Sequence, residues 1–221
     1  MKRLVCVVLC FLAITGFSWR GLKQVVIDQF DGGSDVELST TGDWTQVVGT
    51  ATIREDGAGT AYSKSVGSNV TASYSNTVNG IVNNRKVECD VEVLGTNVHC
   101  GIFVTHSGSL ADKGSFKVYG VWNGVNTDYY YQPIAIAPPA ATLIGQISGS
   151  GQHHIRADLN GQVYTVSINN GTLTASFDGG GTNYGNKNDR AGLYYKGPSL
   201  GAGTVILAEW QNFDVRLYPY N

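Results

Sequence analysis

From about residue 25 onward, apolar and polar positions alternate along the chain, and Gly and Asn interrupt the alternation at short intervals. A period of two is that of a strand with one buried face. Twelve segments carry it: 25–30, 44–53, 70–78, 85–94, 98–105, 116–122, 128–136, 153–159, 162–169, 172–178, 190–196 and 204–217. No window longer than about ten residues carries a helical period. About a dozen short strands with turns between them predict an all-β, two-sheet antiparallel sandwich. No repeat period stands out, which argues against a propeller or solenoid.

The sharpest local prediction is a three-strand meander over 153–178. Asn160-Gly161 and Asn170-Gly171 are both two-residue hairpin signals, because a type I′ turn needs positive φ at both central positions. These turns pair Leu159 with Gln162, Ala157 with Tyr164 and Ile155 with Val166, then Ile168 with Leu173, Val166 with Ala175 and Tyr164 with Phe177. Both registers put Ile155, Ala157, Tyr164, Val166, Ile168, Leu173, Ala175 and Phe177 on one face. His154, Arg156, Asp158, Thr165, Ser167, Thr172, Thr174 and Ser176 fall on the other. A second hairpin is expected over 85–105, turning at Leu94-Gly95, with Cys89 opposite Cys100. Cross-strand Cβ atoms lie ~4.5–5.5 Å apart and a disulfide wants about 3.8 Å. A bridge is therefore feasible, and two buried free thiols are the alternative.

Composition narrows the class. Glycine contributes 29 of the 221 residues, charged residues are only 14 %, and 42 % are hydrophobic with a formal net charge of −2. A disordered chain would be less apolar and more charged, a helical bundle would hold more charge and less Gly, and a nucleic-acid binder would carry a basic excess. Residues 1–18 open with Met1-Lys2-Arg3 and continue as the apolar run Leu4 to Phe17 with small residues at its end. This is the pattern of a secretory signal peptide, too short for a membrane span of about 20 residues. An uncleaved N-terminal anchor is the rival reading. Cleavage after Ser18 leaves one domain over 19–221, expected to be secreted, with Cys89 and Cys100 as its only cysteines. An exported pair of cysteines favours the disulfide. The sequons at Asn69 and Asn170 fit an exported surface chain.

Several stretches together carry a family resemblance. In order they are Asp28-Gln29-Phe30-Asp31, Gly42-Asp43-Trp44-Thr45, Gly49-Thr50-Ala51-Thr52-Ile53, the run Val87 to Val93 followed by Gly101-Ile102-Phe103-Val104, Phe116-Lys117-Val118-Tyr119, the stretch His154 to Asn169, Ala191-Gly192-Leu193-Tyr194-Tyr195 and Glu209-Trp210-Gln211-Asn212-Phe213-Asp214-Val215. This order and spacing resembles the concanavalin A-like lectin/glucanase superfamily in its laminin-G-like form, over about residues 28–217. The resemblance implies a jelly roll of two curved sheets, with both chain ends meeting in one sheet. It also implies binding of carbohydrate or another extracellular ligand, sometimes with calcium, and in some branches glucan hydrolysis. Fold alone does not fix function.

Three sets of residues are candidates for chemistry. Glu88, Asp90 and Glu92 look like the Glu-x-Asp-x-Glu signature of laminarinase-type glucan hydrolases, although Asn83-Asn84-Arg85-Lys86 stands where those enzymes usually carry a Trp-Pro and a Gly. Glycoside hydrolysis by retention needs two carboxyls about 5–5.5 Å apart, whereas Glu88 and Glu92 would sit ~13 Å apart along a strand. An ordinary solvated strand face explains the same residues. Trp122, Tyr129, Tyr130 and Tyr131 are the candidate ligand-binding aromatics, since Tyr and Trp rings stack on apolar sugar faces while their polar tips hydrogen-bond. Tyr130 points away from the face shared by Tyr129 and Tyr131, and Tyr194-Tyr195 is a further pair. Calcium is a possible cofactor, with Asp178, Asn183 and Asp189 as candidate oxygen donors and Asp28, Asp31 and Asp35 as a second loose cluster. His153 and His154 point to opposite faces of a strand and do not chelate one ion together; structural roles are expected for all four histidines. The expected function is a secreted, non-catalytic carbohydrate-binding or adhesion module with a glycan or extracellular protein as partner, without nucleic acid or membrane. The alternatives are a structural protein of an extracellular assembly or virion surface, and a glycoside hydrolase.

Overall fold

The structure, a computed structural model, describes residues 23–41, 44–65, 71–77, 84–106, 115–134, 140–179, 190–198 and 204–218. The expected signal peptide at 1–18 lies outside them. Among the described residues no helix is long and apolar enough to cross a membrane.

Among the described residues sixteen strands follow one another: β1 (Lys23–Asp28), β2 (Val36–Glu37), β3 (Thr45–Gly49), β4 (Arg54–Glu55), β5 (Ala61–Ser63), β6 (Thr71–Thr77), β7 (Asn84–Val93) and β8 (His99–His106), then β9 (Ser115–Trp122), β10 (Asn126–Ile134), β11 (Thr142–Ser148), β12 (His153–Asn160), β13 (Val163–Ile168), β14 (Leu173–Asp178), β15 (Arg190–Lys196) and β16 (Ala208–Leu217). Nine form one sheet in the order β14-β13-β12-β7-β16-β5-β4-β2, with β1 also on β16; seven form the second in the order β11-β10-β9-β8-β15-β6-β3. Every pairing within them is antiparallel. This is the expected two-sheet jelly-roll sandwich, and the β1–β16 pairing joins the two chain ends in one sheet.

Each of the twelve segments expected from the alternation holds a strand, although 50–53 and 204–207 lie outside β3 and β16. The four others are short (β2, β4, β5) or lie at the sheet edge (β11). β11 is exposed or half-exposed along its length, so no apolar alternation marks it.

The meander keeps its two faces. β13 pairs with β14 in the expected register, Tyr164 with Phe177 and Val166 with Ala175. Asn170 and Gly171 both have positive φ, 54° and 97°, as a type I′ turn requires. The first turn falls one residue later than expected. Asn160 stays in the ladder opposite Val163, so Leu159 meets Tyr164. Gly161 takes φ 62° as the first turn residue, the position that type II′ reserves for Gly. The Oδ1 of Asn84 accepts the Gly161 N–H at 2.8 Å. Because the shift moves both strands by one residue, side chains keep their sides; Ile155, Ala157, Tyr164, Val166 and Ile168 are buried.

The second hairpin does not form. β7 pairs with β12 and β16, whereas β8 pairs with β9 and β15 in the opposite sheet. The turn at Leu94-Gly95 is an arch across the core. Alternation is the same for two strands facing each other across a core as for two strands side by side, so the sequence pattern fits both. The Cys89–Cys100 disulfide is corrected with it: both cysteines are free and buried. The Cys89 thiol donates to the Gln211 carbonyl at 3.2 Å, at the bulge where Asn212 takes φ 54°. Cys100 donates to the Glu209 carbonyl at 3.4 Å. Burial pushes both thiols well above their ordinary range.

Between the sheets, Phe116 stacks on Tyr164 at 4.0 Å and Trp44 packs against Phe213 at 5.1 Å. The Trp210 indole N–H donates across the sandwich to the Gly101 carbonyl at 2.9 Å. With the thiols unlinked, the melting temperature is expected to be the same with and without dithiothreitol, and both cysteines are expected to alkylate only after denaturation. A fall in melting temperature under reductant would contradict the free-thiol assignment.

Candidate functional site

The outer faces of the two sheets differ. On the nine-stranded sheet the alternation is ordinary: β12 reads buried, half-exposed, buried, exposed. On the seven-stranded sheet, Ser115 to Gly120 of β9 and Ala191 to Tyr195 of β15 are buried on both faces. The inner face supplies Phe116, Val118, Leu193 and Tyr195 to the core. The outer face holds a second, separate cluster of Phe103, Tyr119 and Tyr194, with Val121, Tyr130 and Ala141 packed against it.

Strand register builds this cluster. Tyr194 lies opposite Gly101, Gly101 opposite Tyr119, and Tyr119 opposite Tyr130, in one row across four strands. Gly101 is the gap in that row. A Cβ there would lie 2.1 Å from the Val118 carbonyl oxygen and 2.5 Å from the Tyr119 Cα, so no larger residue fits. Lys196, His99 and Val121 form the next row. Phe103 and Lys117 form the row on the other side.

The side chains interlock. The His99 ring stacks on Tyr119 at 4.8 Å, Tyr119 stacks on Tyr130 at 5.7 Å, and Tyr194 meets Tyr119 edge-on at 5.4 Å. The Lys117 ammonium sits 4.0 Å from the Tyr194 ring centre and 5.3 Å from that of Tyr119. Both contacts are cation–π geometry. Burial, aided by Lys196 and Lys117, holds His99 down to about 3, so its imidazole is neutral. Burial, aided by Lys196, lowers Lys117 to about 8. Burial pushes Tyr119 up to about 12 and raises Tyr194 and Tyr130. The result is a packed layer of phenol and imidazole rings with the Lys117 ammonium among them and Tyr130 half-exposed at its edge, a chemistry suited to stacking and hydrogen bonding.

Of the four aromatics expected to bind ligand, the structure brings only Tyr130 to this face. Tyr129 is a core residue whose hydroxyl meets Nδ1 of His153 at 2.6 Å. Tyr131 packs inward against Phe116 and Phe177. Trp122 is half-buried against the core, its indole N–H buried without a partner. His99, Phe103, Lys117, Tyr119 and Lys196 were not singled out by the sequence. Their signal is alternation itself: Lys117, Tyr119 and Val121 share a face opposite Phe116 and Val118.

Glu88, Asp90 and Glu92 lie together on the outer face of the other sheet. Lys86 holds Glu88 at 2.5 Å, and Asp90 lies 2.7 Å from Nδ1 of His154 and 2.8 Å from Nδ2 of Asn212. Glu92 lies opposite Glu209 across the strands, and burial followed by the Glu92 charge raises Glu209. His153 and His154 do face opposite ways. Asp178 is exposed at the end of β14, and Asn183 and Asp189 lie outside the described residues. Asp28, Asp31 and Asp35 do not converge. Asp28 accepts the Phe30 N–H and the Trp44 indole, Asp35 holds Arg54 and Tyr62, and Asp31 is exposed. Among the described residues no group of three His, Cys, Asp or Glu side chains is placed to hold a metal ion.

The architecture is a two-sheet antiparallel β-sandwich, a fold shared with solved glucanase and carbohydrate-binding structures. It is similar to a glycoside hydrolase family protein from Mycobacterium thermorestibile, with a TM-score of 0.60 and 11 % identity over 86 % of this chain and 99 % of that one. It is also similar to the CBM2 module of the evolved Dit of Lactobacillus casei BL23 phage J-1, with a TM-score of 0.58 and 13 % identity over 90 % and 97 % of the two chains. A protein from Bacillus subtilis with a galectin-like fold gives 0.55 and 9 % over 88 % and 96 %. At such identities the likeness is one of fold. No protein-family model matches the chain, and no curated protein matches it in sequence.

Two substitutions probe this cluster. Gly101→Ala is expected to cost about 1–3 kcal/mol through the clash with β9, read as a lower melting temperature. Lys117→Met is expected to raise it by about 2–4 °C, corresponding to about 1 kcal/mol, because a desolvated ammonium is removed. A fall for Lys117→Met would mean that the ammonium stabilises the fold.

Proposed function

We propose that this protein is a secreted, non-catalytic carbohydrate-binding module that receives saccharide on the outer face of its seven-stranded sheet. The observation that carries the reading is the aromatic cluster on that face, separate from the core. Apolar C–H faces of a pyranose stack on phenol rings, and phenol hydroxyls and a neutral imidazole hydrogen-bond its hydroxyls. Tyr130, half-exposed at the edge of the cluster, is the ring that meets the ligand first.

Two features favour binding over hydrolysis. The hydrolytic reaction needs paired carboxyls beside the sugar, and Asp128 is the one acid in the seven strands of this sheet. The triad of carboxylates lies on the other sheet, where Glu88 and Asp90 are already held by Lys86 and His154. Secretion rests on the pattern of residues 1–18. The carbohydrate-binding and galectin-like neighbours are compatible with the reading.

The chain from Trp19 onward, tested on a glycan array with calcium and with a chelator, is expected to retain specific saccharide. Tyr130→Ala is expected to weaken the best array ligand about five- to tenfold, the loss of about 1 kcal/mol of stacking, without unfolding. Glu92→Gln is expected to leave binding unchanged. A blank array in both lanes would contradict the reading and point to a protein partner. Release of saccharide product that Glu92→Gln abolishes would point to a hydrolase.

A further inference from the structure

Among the described residues, the strands of this aromatic face are short of negative charge. Its seven strands carry Lys117, Arg190 and Lys196 against the single acid Asp128. Asp128 is already engaged, accepting from Gln146 at 2.8 Å and Asn123 at 3.2 Å. Its neighbour on β9 is Val121, four residues and ~13 Å from Lys117.

Neither Lys117 nor Lys196 has a carboxylate within ion-pair distance among the described residues. The nine-stranded sheet behaves differently: Arg54, Lys86, Arg156 and Arg216 each rest on a carboxylate. Lys117 is also only 9 % exposed. A buried ammonium without a counter-ion is costly, and its contacts with the Tyr194 and Tyr119 rings return only part of that cost. Lys196 adds a second positive charge to the same face, and its repulsion contributes to lowering both Lys117 and His99. Lys117 lies over the Tyr194 ring, Lys196 follows Tyr194 by two residues on the same face of β15, and among the described residues no carboxylate pairs with either.

We propose that the saccharide bound on this face is anionic, with its carboxylate or sulfate ester held between the Lys117 and Lys196 ammoniums above the Tyr194 ring. This rests on the carbohydrate reading and adds the class of sugar to it. The incoming anion supplies the charge that the fold withholds, in a site where burial strengthens the attraction. Lysine is a compact point charge that does not impose the forked geometry of arginine, so carboxylate and sulfate both fit. The neutral His99 imidazole beside them adds a hydrogen-bonding group without adding charge.

The test uses paired probes that differ only in charge: an oligogalacturonate with its carboxyl-reduced form, and a sulfated oligosaccharide with its desulfated parent. One charged member is expected to bind at least tenfold more tightly than its neutral partner, and which pair shows the preference names the anion. Lys196→Gln is expected to remove about tenfold of that preference. Lys117→Met is expected to remove at least as much while remaining folded, and added salt is expected to weaken binding by the charged probe. Equal binding within both pairs would overturn the charge assignment and leave the carbohydrate reading standing. A charge preference that survives both lysine variants would overturn it too, as would Tyr130-dependent binding confined to neutral sugars. Absence of binding by every probe and every array glycan would overturn both.

Discussion

Each strand of a two-sheet sandwich has an inner and an outer face, and the core needs only the inner one. The central strands of the seven-stranded sheet are nevertheless buried on both. That surplus burial is the feature on which the function proposed for this face depends. The core is complete without Phe103, Tyr119 and Tyr194, because Phe116, Val118, Leu193 and Tyr195 fill the inner face of the same strands. Gly101 lets Tyr119 lie against β8, and Tyr119 is then held between His99 and Tyr130. A rigid ring surface loses little freedom when it meets a ligand.

The two outer faces also handle charge in opposite ways. On the nine-stranded sheet, Lys86, Arg156 and Arg216 find carboxylates on their own or neighbouring strands. The more exposed of these pairs, at Arg156 and Arg216, contribute little to stability, but all three leave no strong uncompensated field. On the seven-stranded sheet Lys117 and Lys196 have no carboxylate partner among the described residues, and Lys117 is buried as well. Stability alone does not favour that arrangement. Functional sites are where such local costs are tolerated, and the proposed anion site would give the cost a purpose.

Much of the architecture was legible in the sequence because periodicity reports which residues share a face. The faces of β12, β13 and β14 follow from alternation and two Asn-Gly turns. Their one turn displacement, at Gly161, arises because Asn84 captures the Gly161 N–H from a strand distant in sequence. Alternation does not report which sheet a strand joins. That is why Leu94-Gly95 reads as a hairpin turn although it crosses the core, and why Cys89 and Cys100 read as partners. The site was legible only in part for the same reason. Tyr130 could be assigned to the opposite side from Tyr129 and Tyr131, but Tyr194, His99 and Lys117 come to it from other strands through register alone. Trp122 illustrates the converse: a residue typical of sugar sites, adjacent in sequence, that packs against the core.

The central claim is that ligand meets the aromatic face of the seven-stranded sheet and not the carboxylate face of the other. The most direct measurement is an NMR titration of the mature chain with its best array saccharide, following the ring resonances of histidine and tyrosine. Saturable shifts confined to His99, Tyr119, Tyr130 and Tyr194 are expected, with His154 unmoved. Shifts centred on His154 and Tyr218, with His99 and Tyr119 unchanged, would place the ligand on the opposite sheet and contradict that claim.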